Sequence, residues 1–105
     1  EDDVKIAQIV LNYFRAVQEN WPIAWDESRP TYILNKSTGF IALMRFMKDC
    51  YLKIGKEIPT KEDFLSIFAK INLSDDDFVN ETYLPGSSGQ SLLYNHLVEL
   101  SGGNN

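Results

Sequence analysis

From residue 2 onward, apolar side chains recur at intervals of three and four: Ile6, Ile9, Val10, Tyr13, Phe14, Val17 and Trp21. That spacing follows the α-helical turn and predicts a helix over about 2–20 with one buried face. Glu1, Asp2 and Asp3 sit where negative charge favours the N-terminal end of the helix dipole. Asn20 is a candidate left-handed exit residue, and Pro22 cannot continue the backbone hydrogen bonding. Residues 26–36, "DESRPTYILNK", carry turn formers and a brief β-like run from Tyr32 to Leu34, so they read as a loop crossing the domain with that run buried.

Ser37 is a good N-cap for a second helix over 37–54, with Phe40, Leu43, Met44, Met47, Cys50, Tyr51 and Ile54 as its apolar stripe and Gly55 as its stop. "IPTKEDF" starts a third helix over 60–71, in which Thr60 and Asp63 have capping-box spacing and Phe64, Leu65, Ile67, Phe68 and Ile71 supply apolar contacts. Ser74 and Asp77 repeat that grammar before a short helix near 75–79. Ser87 and Gln90 do so again before a final helix over 88–100 carrying Leu92, Leu93, Leu97 and Leu100, which Ser101 and two glycines end. The expected fold is all-α, a compact bundle of four main helices plus the short one, with no internal repeat or heptad run.

At 105 residues, 44% of them hydrophobic and 24% charged, the chain has the size and composition of one globular domain over 1–105. The longest apolar run, "GFIALMRFM", is broken by Arg45 and is far short of the roughly 20 residues of a membrane span. No membrane partner is expected. The sequence starts within a helical pattern, without an initiator methionine or a secretory signal, and ends in "SGGNN"; it reads as the C-terminal fragment of a longer protein. A single cysteine suits a reducing compartment, and a cytoplasmic location is the expectation.

The net charge of −5 opposes general nucleic-acid binding, which gains affinity from phosphate neutralisation. It conceals an asymmetry. Residues 36–61 hold Lys36, Arg45, Lys48, Lys53, Lys56 and Lys61 against Asp49 and Glu57, so this segment is +4 and the remainder −9. Arg45, Lys48, Lys53 and Lys56 are placed opposite the apolar stripe of the second helix. With Lys36 they form a candidate partner or nucleic-acid surface, the alternative being a solvated helix face laced to Asp49.

The chain also offers weaker chemical signals. Trp21 and Trp25 are in register with the first helix and read as core aromatics, a ligand platform being the alternative. "PGSSGQS" lacks the spacing and the lysine of a phosphate loop and reads as a turn with a helix cap, as does "STGF". His96 has no second histidine and reads as a residue bordering the apolar face; Cys50 reads as a small core residue. Asp75, Asp76 and Asp77 lack the calcium-loop order and read as a helix start, while Glu62 and Asp63 have no evident base or nucleophile beside them. No catalytic, cofactor-binding or metal-binding residue is assigned, no cofactor is expected, and the chain reads as non-enzymatic.

Three stretches, "VLNYFRAVQENWPIAW", "YILNKSTGFIALMRFM" and "YLPGSSGQSLLYNHL", resemble the C-terminal helical region of DGQHR-domain proteins, bacterial proteins of which some are associated with DNA phosphorothioation systems. The Asp-Gly-Gln-His-Arg string that names the family is absent; in such proteins it belongs to an upstream portion similar to the ParB and sulfiredoxin fold. The resemblance therefore transfers no catalytic residue. Its motif positions here are Asn12, Tyr13, Phe14, Trp21, Pro22, Trp25, Thr38, Gly39, Pro85, Gly86, Ser87, Ser88 and Gly89, and they are expected to be structural. It implies a helical accessory domain that packs against the upstream domain of its parent or against a partner subunit, with DNA contact through the second helix as the alternative. Oligomeric state is left open.

Overall fold

A computed structural model describes residues 2–26 and 28–102 of the chain; Glu1 and the "GNN" end of the tail, both read above from sequence, lie outside the described residues. The elements in chain order are α1 (Asp2–Asn20), α2 (Ser37–Ile54), α3 (Lys61–Phe68), a 3₁₀ turn (Asp75–Asp77) and α4 (Ser87–Leu100). The all-α bundle is as the periodicity predicts. Among the described residues the only β pairing is an isolated antiparallel bridge between Tyr32 and Val79, which seats the β-like run and buries Ile33 and Leu34 behind it.

Helix α1 packs on α3, and α2 packs on α4 and touches α3. One core joins them through Tyr13, Val17 and Trp21 from α1, Leu43 and Phe46 from α2, Phe64 and Phe68 from α3, and Leu93 and Leu97 from α4. Phe78 and Tyr83, which lie in the connection before α4, are also fully buried. The Tyr13 hydroxyl donates to the Leu43 carbonyl at 2.7 Å, so the phenol crosses from α1 to α2 with its polar end satisfied. Burial, then the nearby Cys50 and Asp49, hold its ionisation well above the usual tyrosine range.

The helix ends divide by capping chemistry. Thr60 and Asp63 form the expected reciprocal box: the Asp63 N–H donates to the Thr60 hydroxyl at 3.1 Å, and the Thr60 N–H donates to the Asp63 carboxylate at 2.9 Å. Asp77 accepts from the Ser74 N–H at 2.8 Å, but the segment closes as a single 3₁₀ turn rather than a helix reaching 79, because Phe78 leaves helical geometry to enter the core. Gly55 stops α2 in the left-handed conformation with φ 72°. Elsewhere the expected boundaries shift. Neither Ser37 nor Ser87 is a cap: both are the first helical residues, behind Lys36 and Gly86, neither of which caps through a side chain. Asn20 is not left-handed, since the chain stays coiled beyond it with Trp25 N–H donating to the Trp21 carbonyl at 3.0 Å. Helix α3 ends at Phe68, and Lys70 and Ile71 close with tighter i→i+3 bonds.

Two glycines of the resemblance motifs have a steric reason. A Cβ on Gly39 would collide with the Ile33 carbonyl and the Leu34 backbone, and one on Gly89 with the Leu84 carbonyl. Each lets a helix start press directly on the preceding loop. Gly39→Ala and Gly89→Ala are each expected to lose about 2–3 kcal/mol, the cost of forcing atoms into a filled site, read from the denaturation midpoint in urea. A second test concerns the α3 cap. The Thr60 N–H and then Lys56 hold the Asp63 carboxyl below its usual range, so its stabilising effect is full above the unfolded carboxyl pKa and is lost as pH falls through the lower folded value. Asp63→Asn is therefore expected to lower Tm at neutral pH, with a difference that shrinks once the medium is acid enough to protonate the native carboxylate.

Candidate functional site

The two tryptophans part company. Trp21 is buried between Phe68 and Phe78, with ring centroids at 5.1 and 5.0 Å, and its indole N–H donates to the Leu73 carbonyl at 2.9 Å. Trp25 is only half-buried. It leans on Phe14 at 5.6 Å, and Phe14 in turn stacks on Phe40 at 5.3 Å. With Gln18, Pro22, Asp26 and Asn35, Trp25 and Phe40 line an open depression of about 520 Å³. The core reading thus holds for Trp21, whereas Trp25 belongs to a rim.

The remaining motif positions serve joints. Asn12 donates to the Pro59 carbonyl at 2.9 Å, Thr38 is buried in the first turn of α2, and Pro85, Gly86, Ser87 and Ser88 are exposed around the start of α4. Each aspartate of the acidic triplet accepts an internal hydrogen bond: Asp75 from the Ala24 N–H at 2.8 Å, Asp76 from the Tyr32 hydroxyl at 2.7 Å, and Asp77 from Ser74. Among the described residues no three histidine, cysteine, aspartate or glutamate side chains converge as metal ligands. His96 lies at the border of α4 as expected, its Nδ1 2.8 Å from the hydroxyl of buried Tyr83.

The basic residues do not form one stripe opposite an apolar one. Lys36 donates to the Asn35 side chain at 3.2 Å, Lys53 to the Ser101 carbonyl at the end of α4 at 3.2 Å, and Lys56 to Asp63 at 3.0 Å. The Arg45 guanidinium lies 4.1 Å from the centre of the Tyr94 ring, and the Tyr94 hydroxyl donates to Asp49 at 2.6 Å, which raises the tyrosine's ionisation. Among the described residues Lys48 makes no hydrogen bond or ion pair.

The surroundings of Lys48 are the feature that the sequence concealed. Ile41, Met44, Arg45, Lys48 and Leu52 share one helical face at spacings of three, four, seven and eleven, and all are exposed: Ile41 40%, Met44 36%, Leu52 67%. Helix α2 is therefore apolar both inward, at Ala42, Leu43, Phe46 and Cys50, and outward. Phe40 and Met44, expected in the core, are instead on the surface, and Phe46, absent from the expected stripe, is buried. Helix α1 has the matching departure. Ile6 is 58% exposed, while Ile9 and Val10 are only half-buried. With Met47, Lys48 and Tyr51 these three line an open groove of about 310 Å³ between α1 and α2. In α4, Leu92 and Leu100 are likewise exposed, leaving Leu93 and Leu97 as the residues that reach the core.

The groove has a geometric origin. The eight residues of α3 span only about 12 Å at 1.5 Å per residue, and cannot cover a nineteen-residue α1. The N-terminal half of α1 extends past its partner and borders α2, leaving Ile6, Ile9 and Val10 to line the gap with Met47, Lys48 and Tyr51. Sequence periodicity marks the residues as apolar but has no means of telling a covered face from an uncovered one.

No protein-family model, no curated protein and no solved structure matches the chain. The likeness to DGQHR-domain proteins accordingly rests on its three short motifs.

Cys50 lies beside a void of about 10 Å³, space for no more than one water, and burial pushes its thiol up to about 12. A thiol held protonated is a poor nucleophile. A disulfide reagent that releases a coloured thiolate is expected to leave native Cys50 untouched at neutral pH and to label it fully in denaturant; prompt reaction in the native state would contradict this burial.

Proposed function

We propose that this chain is a non-enzymatic helical interaction domain that works by packing its α1–α2 face against the upstream part of a parent protein or against a partner subunit. The exposed apolar face carries this reading. Scattered apolar side chains are ordinary on a protein surface, but a contiguous set along two adjacent helices marks a surface that another chain covers. On this reading the DGQHR resemblance describes the setting, an appended helical part whose parent carries its chemistry elsewhere, in a cytoplasmic bacterial protein.

The alternative, nucleic-acid contact through α2, draws on the same helix but has less support. Arg45, Lys53 and Lys56 engage groups within the domain, and Lys48 shares its face with isoleucine, methionine and leucine and with Arg45 as the one other cation. A phosphate-binding surface gains its affinity from several unengaged cations acting together.

Two titrations separate the readings. The domain is expected to enhance the fluorescence of 8-anilinonaphthalene-1-sulfonate, and the triple variant Ile41→Ser, Met44→Ser, Leu52→Ser to lose most of that enhancement while keeping its helical circular dichroism. Duplex and single-stranded DNA are expected to give no binding at low salt. Salt-sensitive DNA binding that disappears when Arg45, Lys48 and Lys53 are changed to glutamate, with no dye enhancement, would replace the interaction domain by the nucleic-acid module.

A further inference from the structure

Resting on that reading, we infer that the α1–α2 groove receives an acidic amphipathic helix of a partner protein, with apolar side chains seated between Ile6, Val10, Met47 and Tyr51 and a carboxylate on Lys48. Groove dimensions set the shape of the occupant. The groove lies beside the exposed face that runs from Ile41 through Met44 and Lys48 to Leu52, about 16 Å along α2, and this length accepts roughly three turns of a third helix. Helix-in-groove recognition of this kind reads apolar anchors spaced by three and four residues.

Charge sets the chemistry. Lys48 is the sole charged residue lining the groove, and it has no partner among the described residues. A helix laid over it removes water from the ammonium, and an unpaired buried charge is strongly unfavourable. A carboxylate on the incoming helix satisfies it, and Arg45 on the same face adds attraction of the same sign. Both residues belong to a segment that is +4 in a chain of −5, so the sign of the local charge favours an acidic helix here.

The same features argue against two other occupants. A second copy related by a twofold axis centred on this face brings two Lys48 ammonium groups together. An anionic lipid surface accepts a helix with a cation-rich polar face lying flat, whereas here the apolar residues line a concavity on a chain of net negative charge.

The test uses two fluorescein-labelled designed peptides of about 16 residues with the same leucine stripe, one with glutamate and one with lysine on the polar face. Binding to the whole chain is followed by anisotropy, beside phosphatidylcholine vesicles containing phosphatidylglycerol and a sedimentation run of the chain alone. The acidic peptide is expected to bind about tenfold more tightly than the basic one. Lys48→Glu should erase or reverse that preference, while Lys70→Glu, the same charge change away from the groove, should leave it in place. Equal binding of both peptides overturns the acidic partner and leaves the interaction domain standing. Binding of neither, with capture by vesicles, overturns it in favour of a lipid surface; binding of neither, with self-association in sedimentation, overturns it in favour of a second copy. Binding of neither with no vesicle capture and no self-association also overturns it, and if dye enhancement is absent as well, the interaction domain falls with it.

Discussion

The indole of Trp21 joins three segments distant in sequence. Its ring fills the space between Phe68 at the end of α3 and Phe78 after the 3₁₀ turn, and its N–H closes on the Leu73 carbonyl between them. One turn later, the Ala24 N–H meets Asp75. These contacts hold the end of α1 against the end of α3, so that Phe78 can enter the core and Ile33 N–H can bond the Phe78 carbonyl at 3.0 Å. The loop thus pinned delivers the Ile33 carbonyl and Leu34 backbone onto Gly39, which positions the start of α2. Burying so large an aromatic with its polar atom satisfied contributes both area and direction.

That anchoring fixes where α1 and α3 meet, and therefore where α1 is left without cover. The two helices are registered at the Trp21 end, while α3 begins only at Lys61 and is too short to follow α1 back to its start. Lys5 with Glu57 and Lys61 with Glu19 clip the margins of the contact, but such exposed pairs contribute little energy. The uncovered length of α1 faces α2, whose own inward side is already occupied by α4. Two apolar surfaces then border one groove with nothing from the domain to fill it.

The polar groups follow a complementary logic. Carboxylates and cations that look like candidate chemistry in a linear reading are used at joints: Asp63 and Asp77 hold turn starts, Asp76 holds Tyr32, Lys53 meets the end of α4, and Arg45 with Asp49 brackets Tyr94. Lys48 differs because the surface around it is apolar. Its position couples the charge asymmetry of the sequence to the hydrophobic face of the fold.

Local rules determined much of this protein. Helical periodicity located all four helices, Thr60 with Asp63 and the left-handed Gly55 set termini through side-chain and backbone chemistry that needs only neighbouring residues, and Trp21 and Cys50 were legible as core because they lie in register with apolar stripes. Where a helix start depended on a distant contact, local signals misled: Ser37 and Ser87 have capping side chains, yet the adjacent loops press onto Gly39 and Gly89 and move each cap one residue earlier. The candidate interaction face was less legible still. Phe40, Met44 and Ile6 have the same apolar character and spacing as residues that are buried, and burial is a property of the partner surface as much as of the helix. Sequence by itself determined which faces are apolar; the relative lengths and registry of α1 and α3 decided which of them remained open.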